Sequence, residues 1–215
     1  MNKPKKTGIV FLSLGAVLIV SALLLFLYNG AEDEEAGEQA QAMLQEVQGA
    51  IAERNEDTAQ NHKSESGSED ETEPAEETEP RPTEIPVVMI EGHEYIGFIT
   101  IPVLEIELPV MSDWDYDKLR ISPCRQFGSP LTDDLVIAAH NYKRHFGLLS
   151  SLEPGDAAIF TDMDGYEDHY ELVRVETLKP TAVDAVQNSG HDLVLYTCTY
   201  GGATRIVAFF DRAES

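Results

Sequence analysis

Asp192-Leu193-Val194-Leu195-Tyr196-Thr197-Cys198 is followed, seven residues after the cysteine, by Arg205-Ile206-Val207-Ala208-Phe209-Phe210. Both runs are rich in β-branched and aromatic side chains, the composition of strands. Strands joined by a short turn set their near ends together, so Cys198 and Arg205 are expected to be neighbours. Upstream, Asp134-Leu135-Val136-Ile137-Ala138-Ala139 is a buried-strand pattern that runs into His140-Asn141. Tyr95 to Pro102 reads as another strand, and Leu104 to Val110 alternates apolar with acidic residues as a half-buried strand does. Ala157 to Thr161 and His169 to Val175 are strands with a turn around Asp164-Gly165. Helix is sparse: a turn over 115–121, and a short segment from Phe146 to Leu152 stopped by Pro154-Gly155. About eight short strands in roughly 130 residues predict a mainly β fold, a closed or nearly closed barrel over 85–215.

The chain has 215 residues and a formal net charge of −24, unevenly spread. Between Ala31 and Glu84 there are 18 acidic and 3 basic residues, which supply 15 of the 24 excess negative charges. Such a balance excludes nucleic acid as a partner, because phosphate contacts need Lys and Arg. Ile9 to Tyr28 is an uncharged apolar run of 20 residues, long enough to cross a bilayer as a helix. Lys3, Lys5 and Lys6 precede it, and Glu32 to Glu35 follow. Positive charge on the N-terminal side predicts a cytoplasmic N-terminus over 1–8, a single span over 9–28 and everything else outside. No Ala-x-Ala cleavage site follows Tyr28, so an anchor is preferred to a cleaved signal.

Beyond the span, Met43, Leu44, Val47 and Ile51 recur at helical spacing within a helix expected over 36–54. The stripe is short, so this helix is expected to be solvated. Asn55 to Pro86 is rich in Glu, Thr, Ser and Pro, with Glu-Thr-Glu-Pro occurring twice. Composition of that kind predicts a disordered, extended spacer, and 29–84 as a whole reads as an acidic stalk.

A cysteine, a histidine and an arginine at strand ends are the parts of thiolate acyl transfer. The thiolate attacks a carbonyl, the imidazole moves the proton, and the guanidinium steadies the oxyanion. Plainer readings stand beside this one. Cys198 is one of two cysteines, and in an exported protein it would commonly pair with Cys124. His145, five residues past His140, competes for the histidine role. His62, His93, His169 and His191 lack such a context and are expected to face solvent.

Val194-Leu195-Tyr196-Thr197-Cys198 resembles the signature Thr-Leu-x-Thr-Cys of the sortases, with Val in place of the first Thr. The segment with His140, Phe146, Leu149, Leu152 and Gly155-Asp156 is similar to that family's histidine segment, and Arg205 stands where its arginine does. Gly97 to Pro102 and Pro109-Val110 look like its opening strands. His140-Asn141 and Asp113 to Tyr116 resemble class B members, but 178–192 is too short for that class's helical insertion. The resemblance implies an eight-stranded sortase-like barrel and a membrane-anchored cysteine transpeptidase. It gives Cys198 as nucleophile, His140 as proton donor and Arg205 as oxyanion or substrate partner, with Thr197 helping to place the substrate. No cofactor or metal is required. The implied partners are surface proteins with a sorting signal, and an amine from a peptidoglycan cross-bridge or a pilin. The rival readings are another cell-wall cysteine peptidase or L,D-transpeptidase, and a disulfide-bonded surface module.

Overall fold

The computed structural model describes residues 4–65 and 83–213, the side chains of 4–7 and 58–65 excepted. The first element is one helix, α1 (Pro4–Glu65), of 62 residues. At 1.5 Å per residue it is roughly 90 Å long. Leu, Ala, Glu and Gln dominate it, all strong helix formers, and no proline interrupts it after its first residue. The segments read separately as span and stalk helix are therefore continuous. Of the acidic spacer, 66–82 lies outside the described residues.

The expectation that the stalk helix is solvated does not hold. Ala36, Ala40, Leu44, Val47 and Ile51 are buried, at spacings of four, four, three and four residues. That is one helical stripe, and it packs on the outside of the sheet. Val47 and Ile51 join a cluster with Tyr95, Met111, Cys124 and Met163. The upper part of the stripe is alanine, small enough to bring the backbone close to the barrel wall.

The strands are β1 (Val88–Ile90), β2 (His93–Ile101), β3 (Ile106–Met111), β4 (Cys124–Phe127) and β5 (Leu135–Ala138), followed by β6 (Ala157–Asp162), β7 (Glu167–Leu178), β8 (Leu193–Cys198) and β9 (Arg205–Arg212). Their order is β1-β2-β3-β4-β5-β8-β9-β7-β6, and β6 returns to pair with β2. Eight strands, β2 to β9, thus close a barrel, as the sequence predicts, with β1 added at the edge. β1 and β4 were not expected. The predicted helical turns are 3-10 segments at Lys118–Arg120 and Leu149–Ser151, and a short helix α2 (Val183–Gln187) is additional.

β2 has to leave β1 and accept β6 within a few residues, and Gly97 makes this possible. Its φ is +143°, the register shifts there, and a Cβ would lie 1.9 Å from the Thr161 carbonyl oxygen. Only glycine fits such an approach. Inside the barrel, Ile99, Ile101, Leu135, Ile137, Phe146, Phe160, Leu195 and Phe210 are fully buried. Outside it, Val136, Val194, Val207 and Phe209 form a separate cluster under Leu178 and Val186 of α2.

Candidate active site

Strand parity sorts the candidate residues. On β8, Leu193 and Leu195 belong to the inner core and Val194 to the outer cluster, so Cys198 falls on the outer face. On β9, Ala208 and Phe210 are inner and Val207 and Phe209 outer, which puts Arg205 on that same face. The antiparallel register pairs Cys198 with Arg205 directly. β5 runs parallel to β8, with Ala138 beside Tyr196, and Ala139 N–H donates to the Tyr196 carbonyl at 3.1 Å. β5 ends at Ala138, so His140 stands in the connection two residues beyond it, at the same end of the sheet as Cys198. Cys198 and Arg205 are thus direct cross-strand partners on one face, and His140 follows the end of β5, the strand beside β8.

The loop after His140 is pinned from within. Phe146 is fully buried in the inner core, and its N–H donates to the His140 carbonyl at 3.2 Å. Gly147 closes the turn with its N–H on the Tyr142 carbonyl at 2.8 Å. A Cβ there would lie 2.5 Å from the Asn141 carbonyl oxygen, so a larger residue would open the loop. The His140 and Tyr142 rings are 4.9 Å apart, and Tyr142 meets His145 edge-on at 5.5 Å.

The two histidines differ sharply. His140 is half-buried, and desolvation holds its imidazole below the usual value; Arg120 pushes the same way and Glu32 opposes. His145 is fully buried beneath α1, and neither ring nitrogen has a hydrogen-bond partner. Burial pushes it down to about 4, with the nearby Ala36 backbone opposing the shift. A sealed, neutral ring cannot exchange protons with a substrate. Of the other histidines, His191 departs from the solvent-facing expectation. Its side chain is 13% exposed and its Nδ1 lies 2.6 Å from Asp211 Oδ1.

Cys198 is a free, partly exposed thiol, and Cys124 is free and buried, so the disulfide reading fails. Cys124 sits on β4 in the cluster beneath α1, and burial pushes its thiol up to about 12. A thiol of that kind is inert. Arg205 Nη1 donates to the Gly202 and Thr204 carbonyls, both at 3.1 Å, which holds the guanidinium against its own turn. That turn is closed by Thr199 N–H on the Thr204 carbonyl at 2.9 Å.

Thr197 points the other way. It is 3% exposed and its hydroxyl donates to the Ala139 carbonyl at 2.9 Å. Its side chain lies inside the wall, so any part it takes in placing substrate or arginine acts through the backbone it holds. The bond clips the residue before His140 to the residue before Cys198.

Beside Arg205, the one residue of the expected three that lines it, is a cleft of about 190 Å³ walled by Trp114, Tyr116, Phe127, Leu178, Val183 and Tyr196 among others. Trp114 and Tyr116 meet edge-on at 4.7 Å, and the Tyr196 hydroxyl donates to Gln126 Oε1. The sequence flagged Trp114 and Tyr116 without a role. It did not flag Glu32 or Arg120, whose charges act on His140. Nothing in their local sequence marks them: one lies on α1 and the other on the β3–β4 connection. Among the described residues no cluster suited to a metal ion occurs.

Residues 99–213 match the family model described as Sortase domain. A search of curated proteins returns no match. Among solved structures, sortase C1 from Streptococcus agalactiae is 26% identical with a TM-score of 0.51, the alignment covering 59% of this chain and 72% of that one. Sortase C1 from Streptococcus suis is 25% identical with a TM-score of 0.51, covering 57% and 75%. Sortase C from Clostridium perfringens shares the fold at 16% identity and a TM-score of 0.50, covering 83% and 91%. These relatives carry the name sortase C, whereas the local motifs suggested class B. The family model spans more than half of the chain and coincides with the barrel, so this chain belongs to the sortase family of cysteine transpeptidases.

Proposed function

We propose that the chain is a membrane-anchored transpeptidase that uses Cys198 as nucleophile, His140 as proton donor and Arg205 as oxyanion partner. What supports this reading is that Cys198 and Arg205 are direct cross-strand partners, that His140 follows the end of the neighbouring β5, and that Arg205 lines a cleft. Peptide side chains of a sorting signal would occupy the cleft, with the scissile carbonyl over Cys198. The thiolate adds to that carbonyl, and the oxyanion is met by the Arg205 fork. The tetrahedral adduct then expels the amine of the following residue. An amine leaves poorly without a proton, which His140 as imidazolium supplies. The resulting thioester passes to an acceptor amine from a peptidoglycan cross-bridge or a pilin, or slowly to water.

Desolvation holds the His140 imidazole below its ordinary value, which disfavours the protonated form that donates to the leaving amine. α1 provides the anchor: it is the one described helix long and apolar enough to cross a membrane. The test is incubation with a panel of sorting-signal peptides plus an amine, read by mass spectrometry of enzyme and products. A peptide-acyl adduct on Cys198 and an amine-capped product support the assignment. Adduct formation that persists in Cys198→Ala refutes it.

A further inference from the structure

We infer that the catalytic end of the barrel rests on the lipid headgroup layer, with the Tyr200 turn and the Tyr142–Arg144 loop at the surface and the opposite end pointing away. This depends on the membrane-anchored reading of α1. The side chains of the apolar run are bare: Phe26 is 74% and Leu27 58% exposed. The first tie between α1 and the barrel comes immediately after that run ends. Asn29 Nδ2 donates to the Tyr200 hydroxyl at 2.8 Å, and Tyr200 lies in the turn between Cys198 and Arg205. Less than two turns on, Arg144 in the His140 loop bonds Glu34 at 2.7 Å, and its N–H donates to Asp33 at 3.3 Å.

From Tyr28 to Glu34 the helix rises only about 9 Å. The headgroup region on each side of a bilayer is some 5–7 Å thick. The Tyr200 turn, tied at Asn29, therefore stands within the headgroup layer, and the Arg144 loop, tied at Glu34, at its outer edge.

The far end is fixed by the same rod. Arg54 bonds Asp164 at 2.5 Å, in the turn between β6 and β7. That turn is remote from Cys198, because β7 pairs Tyr170 with Arg212 and Leu178 with Arg205. Asn29 and Arg54 are roughly 38 Å apart along the helix, so a tilt of about 20° leaves the order of heights unchanged. The acidic tract therefore cannot set the height of the barrel, since it begins only after α1 has docked.

The surface chemistry agrees. Tyr200 is 86% exposed and sits level with Tyr28, the aromatic pairing favoured where bilayer meets water. Lys143 is exposed on the neighbouring loop and can meet lipid phosphates. Glu32 to Glu35 oppose deeper entry, so the loops rest on the surface and do not insert.

The test uses the full chain with Cys198→Ala, in vesicles of equal parts phosphatidylcholine and phosphatidylglycerol. Single cysteines carrying a fluorophore are placed at Leu18→Cys in the span, Ala203→Cys in the site turn and Glu167→Cys at the far end. Quenching is measured with spin labels on the acyl chain or on the headgroup. The expected result is loss of most emission at position 18 with the acyl-chain label and at position 203 with the headgroup label, and none at 167. A quenched position 18 with an unquenched 203, or equal quenching at 203 and 167, overturns the orientation while leaving the anchor intact. An unquenched position 18 overturns the anchor and the orientation together.

Discussion

Removing α1 should destabilise the barrel, although the composition of 1–84 suggests a dispensable leader. Compare a chain starting at residue 31, which keeps the buried stripe, with one starting at residue 85, which loses it. Leu44, Val47 and Ile51 are 6%, 0% and 8% exposed. Full burial of such side chains is worth about 1.5–3 kcal/mol each, so roughly 5–9 kcal/mol of burial is lost, partly offset by the entropy of no longer ordering a helix. Against a domain stability of about 5–15 kcal/mol this is a large fraction. At about 2–4 °C per kcal/mol, the melting temperature should fall by roughly 10 °C. A second readout follows from Cys124, which lies under the same stripe. With 31–215 a thiol reagent should count one reactive cysteine, and with 85–215 two. If the shorter chain melts within about 3 °C of the longer one and still shows one thiol, α1 does not cover the barrel as described.

Four further expectations concern the site. His140→Ala should cost about 10² to 10⁴ in thioester formation, and His145→Ala far less, since His145 is sealed; a dead His145→Ala beside an active His140→Ala, both folded by circular dichroism, would reverse the assignment. Arg205→Lys keeps the charge but loses the planar guanidinium, whose Nη1 donates to both the Gly202 and Thr204 carbonyls while its other N–H groups stay available, so acylation should still be severely slowed in stopped-flow assays. Thr197→Val should cost about 1–3 kcal/mol in denaturant unfolding by leaving the Ala139 carbonyl short of a partner, and kcat should fall while KM holds. His145 is lowered to about 4 in the fold, so the unfolded chain binds more protons between there and pH 6.5. Its contribution, about 3 kcal/mol at most, is present above pH 6.5 and lost as pH falls toward 4; His145→Phe should flatten that limb of a stability-versus-pH profile.

Part of this molecule was legible because strands carry a period of two. Leu193, Leu195, Ala208 and Phe210 fill the barrel, which forces Cys198 and Arg205 outward together, and the apolar run before His140 does the same on β5. The same parity turns Thr197 to the inner face, where its hydroxyl meets the Ala139 carbonyl. β4 escaped notice because Cys124-Arg125-Gln126-Phe127 has no apolar alternation. The docking of α1 was hidden for a different reason. Its stripe begins with Ala36 and Ala40, which have little hydrophobicity to signal burial, and the acidic residues around them are good helix formers as well as markers of disorder.

That hidden contact changes what the acidic stretch does. Arg144 is tied to Glu34 and to Asp33, and His145 is covered by the next turn of the same helix. Glu32 meanwhile favours the protonated form of His140, against the desolvation that disfavours it. A segment that reads as a stalk therefore ties down the loop after His140 and bears on the charge of that histidine. Glu32→Gln tests this directly. Removing that carboxylate should lower the His140 titration further and shift the acidic limb of the pH–rate profile to lower pH, without changing the fold. An unchanged limb would mean that the helix supports the loop but does not reach its electrostatics.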